Sequence, residues 1–76
     1  MILEMDGEEI EEYFNYLDTL RESGATNMWG ARPFLQKEFD LDGKVAGKIL
    51  SAWMHTFDGK SNHYVRAKQA LKDGLL

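Results

Sequence analysis

Residues 31–50, ARPFLQKEFDLDGKVAGKIL, carry two short apolar patterns on either side of the triplet Asp40-Leu41-Asp42. Pro33 fixes its own φ and lacks an amide hydrogen, so it suits the first turn of a helix and breaks one anywhere deeper. A short helix over about 32–39 follows, with Leu35 and Phe39 on its buried side and Phe34 alongside. Asp42 then caps a second helix by accepting hydrogen bonds from its free amides, and that helix runs from 43 to about 57. Ala46, Ile49, Leu50, Trp53 and Phe57 recur at helical spacing along it and form an apolar stripe.

Two more helices flank this pair. Residues 8–23, EEIEEYFNYLDTLRES, place Ile10, Tyr13/Phe14, Leu17 and Leu20 on one face. Acids crowd its first turns, where the helix dipole favours them, and Gly24 is a natural stop. The stretch ATNMWGARP reads as a loop. Trp29 within it, like Trp53, is read as a core anchor, with exposure as a contact the alternative for Trp29; Met28 and Met54 are gap-fillers. After the turn-forming DGKSN, residues 62–72 read as a shorter basic helix with Tyr64, Val65, Ala67 and Leu71 inward and Gly74 at its end. Leu75 and Leu76 either fray or pack on a neighbour. No strand is expected, so the fold class is all-α, a single small domain of three to four helices.

The chain has 76 residues, no cysteine and a net charge of −4. A chain this short only just buries enough surface for one core, and nine aromatic residues help to supply it. Disulfides and thiolate metal sites are excluded. No apolar run is long enough to span a bilayer, and the acidic start, MILEMDGEEIEE, is unlike a secretory leader, so a cytoplasmic protein is expected. The charge is unevenly spread. Residues 1–42 hold eleven acids and three bases, net −8, whereas residues 43–76 hold two acids and six bases, net +4. Such asymmetry suggests two faces with different partners, although each half also simply solvates its own helices.

Residues 31–50 resemble a helix-turn-helix, the DNA-binding unit of many repressors and activators. The resemblance implies that Leu35, Phe39, Leu41, Ala46 and Ile49 clamp two helices together, with Asp42 in place of the usual opening Ser or Thr. Two positions depart from the family. Gln36 stands where a small residue is preferred at the helix crossing, and Asp40 stands where the turn prefers glycine. A plain helical bundle would show similar spacing. SGATNMWGARPFLQKEF, followed by AWMHTF, also resembles small bacteriophage proteins, which implies a regulatory or host-directed role.

If the helix-turn-helix alignment holds, the second helix turns Gly43, Lys44, Gly47, Lys48 and Ser51 outward. Arg, Asn and Gln, the side chains whose forked groups match base edges, are missing from that set. Lys44 and Lys48 suit phosphates instead. Two glycines on one face each cost about 0.8–1 kcal/mol relative to alanine. They form either a surface for close approach of a backbone or DNA strand, or a cap residue (Gly43) with relief of helix crowding (Gly47). Lys60, Arg66 and Lys68, with Lys72, His63 and Tyr64, would extend a phosphate-contacting surface or merely solvate the last helix. The expected function is therefore binding of duplex DNA, as a homodimer, through Lys44, Lys48 and Ser51, with Lys60, Arg66 and Lys68 on the backbone. The rival is a protein-binding module or inhibitor that uses the Gly43/Gly47 stripe or the acidic helix, whose Glu8, Glu9, Glu11, Glu12 and Asp18 resemble a phosphate charge array.

No enzyme or cofactor is expected. GxxxxGK and HExxH motifs are missing, Ser51 and His55 merely lie four apart on one helix, and His55, Asp58 and His63 lack metal-ligand spacing.

Overall fold

The computed structural model describes residues 7–24 and 30–76. Expectations for the apolar start, Met28 and Trp29 lie outside the described residues. Among the described residues there are four helices and no strand, a small all-α domain: α1 (Gly7–Ser23), α2 (Arg32–Phe39), α3 (Gly43–His55) and α4 (His63–Lys72). No helix among them is long and apolar enough to cross a membrane.

Each boundary has a local cause. Gly24, at φ +71°, ends α1 in the left-handed region that favours glycine. Pro33 lies in the first turn of α2. Asp40 takes the left-handed conformation (φ 54°, ψ 50°) that closes α2, and the Leu41 amide donates back to the Gln36 carbonyl at 3.2 Å. Aspartate thus does here what glycine would do at lower steric cost. Two residues on, the Asp42 carboxylate accepts from the Val45 amide at 2.8 Å and opens α3, as expected. Asn62 caps α4 in the same way through the Val65 amide.

The core collects Ile10, Phe14, Leu17 and Leu20 from α1, Leu35 from α2, and Ala46, Ile49, Leu50, Ala52 and Trp53 from α3. Ala31, Ala67 and Ala70 complete it. α3 packs on α2, α1 and α4, while the most extensive packing joins α1 to α4. Tyr13 and Tyr16 bind α2 through aromatic edges, meeting the Phe39 ring at 4.8 and 5.4 Å in T-shaped geometry. Burial raises both tyrosine pKa values, and the neighbouring acids add to it, Glu9 and Glu12 for Tyr13 and Glu38 for Tyr16.

Two expectations need correction. First, α3 ends at His55 rather than 57. The Thr56 hydroxyl donates to the Ala52 carbonyl at 2.9 Å, and Phe57 leaves the stripe to lie beside Trp53, ring centroids 5.3 Å apart. Second, α4 is rotated from its expected orientation. Ala67 is buried, but Tyr64, Val65 and Leu71 are exposed, and Arg66 and Ala70 face inward instead. The two alanines present little side-chain bulk, so α4 can approach closely without its larger residues. Beyond α4, Gly74 (φ +70°) reverses the chain and the Leu75 amide donates to the Ala70 carbonyl at 2.9 Å. Leu75 and Leu76 consequently pack on their own core.

Candidate nucleic-acid interface

Lys44, Lys48 and Ser51 follow one another along α3 at spacings of four and three, and all three are exposed. Nothing among the described residues seals this ridge. The opposite side of α3 carries the buried Ala46, Ile49, Leu50 and Trp53, so the core fixes which side is presented to solvent. Lys44 lies in the first turn, against the dipole, and the Asp42 cap offsets that cost.

The glycine stripe is only half-exposed, because α2 lies over it. A Cβ built on Gly47 would sit 3.5 Å from Nε of Arg32 and 3.7 Å from its Nη2. One built on Gly43 would sit 3.6 Å from Nε2 of Gln36. Of the two readings of the stripe, relief of helix crowding fits this geometry, because α2 side chains already occupy the surface that close approach of another strand would need. The arrangement also accounts for the large residue at the helix crossing, since Gln36 is accommodated where Gly43 has no side chain. Arg32 and Gln36 are the functional candidates that local reading missed. They belong to another helix, and only the i, i+4 match between 32/36 and 43/47 hinted at the pairing.

All of these distances are ordinary van der Waals contacts with flexible side-chain ends. Gly47→Ala is thus expected to stabilise the fold by about 0.5–1 kcal/mol through helix propensity, read as a higher urea midpoint with unchanged slope. A lower midpoint would mean that α2 cannot yield to a single methyl group.

The remaining basic residues are scattered. Lys60 is exposed in the α3–α4 connection, a segment pinned by Asp58, whose carboxylate accepts from the amides of Lys60 (2.9 Å) and Ser61 (2.7 Å) and from the Ser61 hydroxyl (2.6 Å). Those bonds, the hydroxyl's foremost, hold Asp58 well below the usual carboxylate range. Lys68 is exposed on α4 with its ammonium 4.3 Å from the Tyr64 ring centroid.

Arg66 is not a surface residue, and its expected phosphate contact is corrected. It is 2 % exposed. Its Nη1 donates to Asp18 Oδ1 at 2.8 Å and its Nη2 to the Trp53 carbonyl, while Nε has no hydrogen-bond partner among the described residues. The guanidinium lies 4.6 Å from the Trp53 ring, 5.0 Å from Phe57 and 5.7 Å from Phe14. Burial lowers its pKa and Asp18 opposes the shift; a guanidinium stays charged throughout the neutral range. Asp18 also accepts from Trp53 Nε1 at 2.9 Å, so this carboxylate joins α1, α3 and α4 from within.

Asp18 accordingly drops out of the acidic array on α1. Glu8, Glu9 and Glu12 are exposed and Glu11 half-buried, and with Asn15 and His63 they line an open groove of about 560 Å³. Among the described residues no three His, Asp or Glu side chains cluster as metal ligands do. The chain matches no protein-family profile, no curated protein and no solved structure.

Proposed function

We propose that the domain binds duplex DNA in a regulatory role, as a homodimer, laying the exposed side of α3 against the duplex. The observation that carries this reading is the accessible Lys44–Lys48–Ser51 ridge on a capped helix whose opposite side is locked into the core. The left-handed turn at Asp40 is compatible with this reading, because it leaves three residues between α2 and α3, a length that helix-turn-helix pairs use. Lys60 and Lys68 add phosphate contacts from outside α3.

Four lysines from each of two subunits release about eight counterions, so log K should fall with log salt at a slope of about −7. A gel shift on mixed duplex should therefore lose on the order of 10⁴-fold in affinity between about 50 and 200 mM salt. A sizing column run beside it reads the dimer. No retention at the lower salt would sink the reading.

The second reading, a protein-binding module, is favoured by one observation. Tyr64, Val65 and Leu71, at 44, 49 and 39 % exposure, leave an apolar strip on α4 that the fold does not cover. Capture of a protein by a domain that retains no duplex would decide for it.

A further inference from the structure

The exposed ridge of α3 is rich in charge and poor in information. Lysine is a compact point charge, whereas recognition of a base pair needs two groups held at fixed separation. α3 offers no such fork outward. Among the described residues, the Arg and Gln that lie over its glycine stripe are Arg32 and Gln36, four apart on α2, beside Gly47 and Gly43, four apart on α3. Neither side chain makes a hydrogen bond or ion pair among the described residues, so their donors and acceptors are uncommitted. Arg32 is exposed and Gln36 half-exposed.

We infer that Arg32 and Gln36 are the base-reading residues of this domain, and that Gly43 and Gly47 provide the bed on which they lie. This inference rests on the duplex-binding reading above. A side chain at 47 would stand between α2 and the ridge. With none there, the flat guanidinium lies against α3 and keeps its N–H edges free. A fork held this way loses less conformational entropy on binding than a free one. Its chemistry selects the ligand: arginine pairs with O6 and N7 of guanine, and the glutamine amide with N6 and N7 of adenine. Residues four apart on a helix are separated by roughly 5–6 Å at Cβ. At about 3.4 Å rise per base, the two bases fall within about two steps of each other. Lys44 and Lys48 position the duplex; the α2 pair reads it.

The test is selection from a random duplex pool at about 50 mM salt, using the wild-type protein, Arg32→Lys and Gln36→Ala. Both variants keep helix-forming residues at accessible sites, and circular dichroism confirms their folding. Each should still retain unselected duplex, through the phosphate contacts of Lys44 and Lys48. Each should also lose one preferred base of the enriched site, where a bidentate pair otherwise discriminates about 5- to 150-fold. The inference is overturned if both variants enrich the wild-type site with undiminished discrimination, or if the wild type binds duplex with no base preference. In either case duplex binding itself stands. A wild type that retains no duplex overturns both together.

Discussion

Asp18→Ala is expected to cost about 3 kcal/mol of unfolding free energy and to lower Tm by about 12–24 °C. The reason lies in what it leaves behind. Arg66 is 2 % exposed, cannot lose its proton in the neutral range, and has Asp18 as its only ion-pair partner among the described residues. Removing one member of a buried pair typically costs 3–5 kcal/mol. The Asp18 side chain is 28 % exposed, so solvent screens part of the interaction and the low end of that range applies. A domain of this size has roughly 4–11 kcal/mol in all, so the loss is a large share. Two effects are mixed in the single variant: the stranded charge, and the lost acceptor of the Trp53 indole. The double variant Asp18→Ala/Arg66→Met separates them. It removes the charge while keeping apolar contact with Trp53, Phe57 and Phe14, and should recover at least about 1.5 kcal/mol of the loss. Urea unfolding of the wild type, both singles and the double measures this coupling. A double variant no more stable than Asp18→Ala would mean that the stranded charge is not what destabilises the single variant.

The same ion pair marks where sequence reading stopped. α1 and α3 were legible because their apolar residues outnumber the alternatives at helical spacing: Ile10, Phe14, Leu17 and Leu20 on one, Ala46, Ile49, Leu50 and Trp53 on the other, all buried. The caps were legible too, since Asp42 and Gly24 act within three residues of themselves. α4 was not. Sorting by hydrophobicity turns Tyr64, Val65 and Leu71 inward, whereas the fold turns in the two alanines and an arginine. What reverses the sort is a carboxylate 48 residues away, and no local spacing reveals a partner at that distance. The candidate interface divides along the same line. Exposure of Lys44 and Lys48 followed directly from the stripe on the other side of α3. The presence of Arg32 and Gln36 beside them depended on how two helices cross, which apolar spacing leaves open. Phe57 shows a smaller version of this: its spacing fits the α3 stripe, yet the Thr56 hydroxyl turns back on the last carbonyls and the ring lands beside Trp53.

Lys44→Glu/Lys48→Glu is expected to lower affinity for mixed duplex by on the order of 10³-fold or more at about 100 mM salt, with folding intact. Each lysine–phosphate contact is worth nearly a decade under those conditions, so deleting two from each subunit of the dimer removes on the order of 10³- to 10⁴-fold. Placing carboxylates at the same positions adds repulsion to that deletion. Stability should hold or rise slightly, because both side chains are exposed and a glutamate at position 44 enters the first turn of α3, where negative charge is favoured by about 0.3–1 kcal/mol. Folding and binding thus move in opposite directions, which guards against reading an unfolded variant as a non-binder. The protein is already acidic at −4, so the double reversal takes it to −8, and a general loss of attraction is the competing explanation. Lys37→Glu/Lys72→Glu makes the same change of net charge from exposed positions on α2 and α4. If contact at α3 governs binding, this control loses at least about tenfold less than the α3 pair, because neither of its lysines lies on that ridge. Equal losses in the two double variants would assign the effect to net charge and take the α3 ridge out of the proposal.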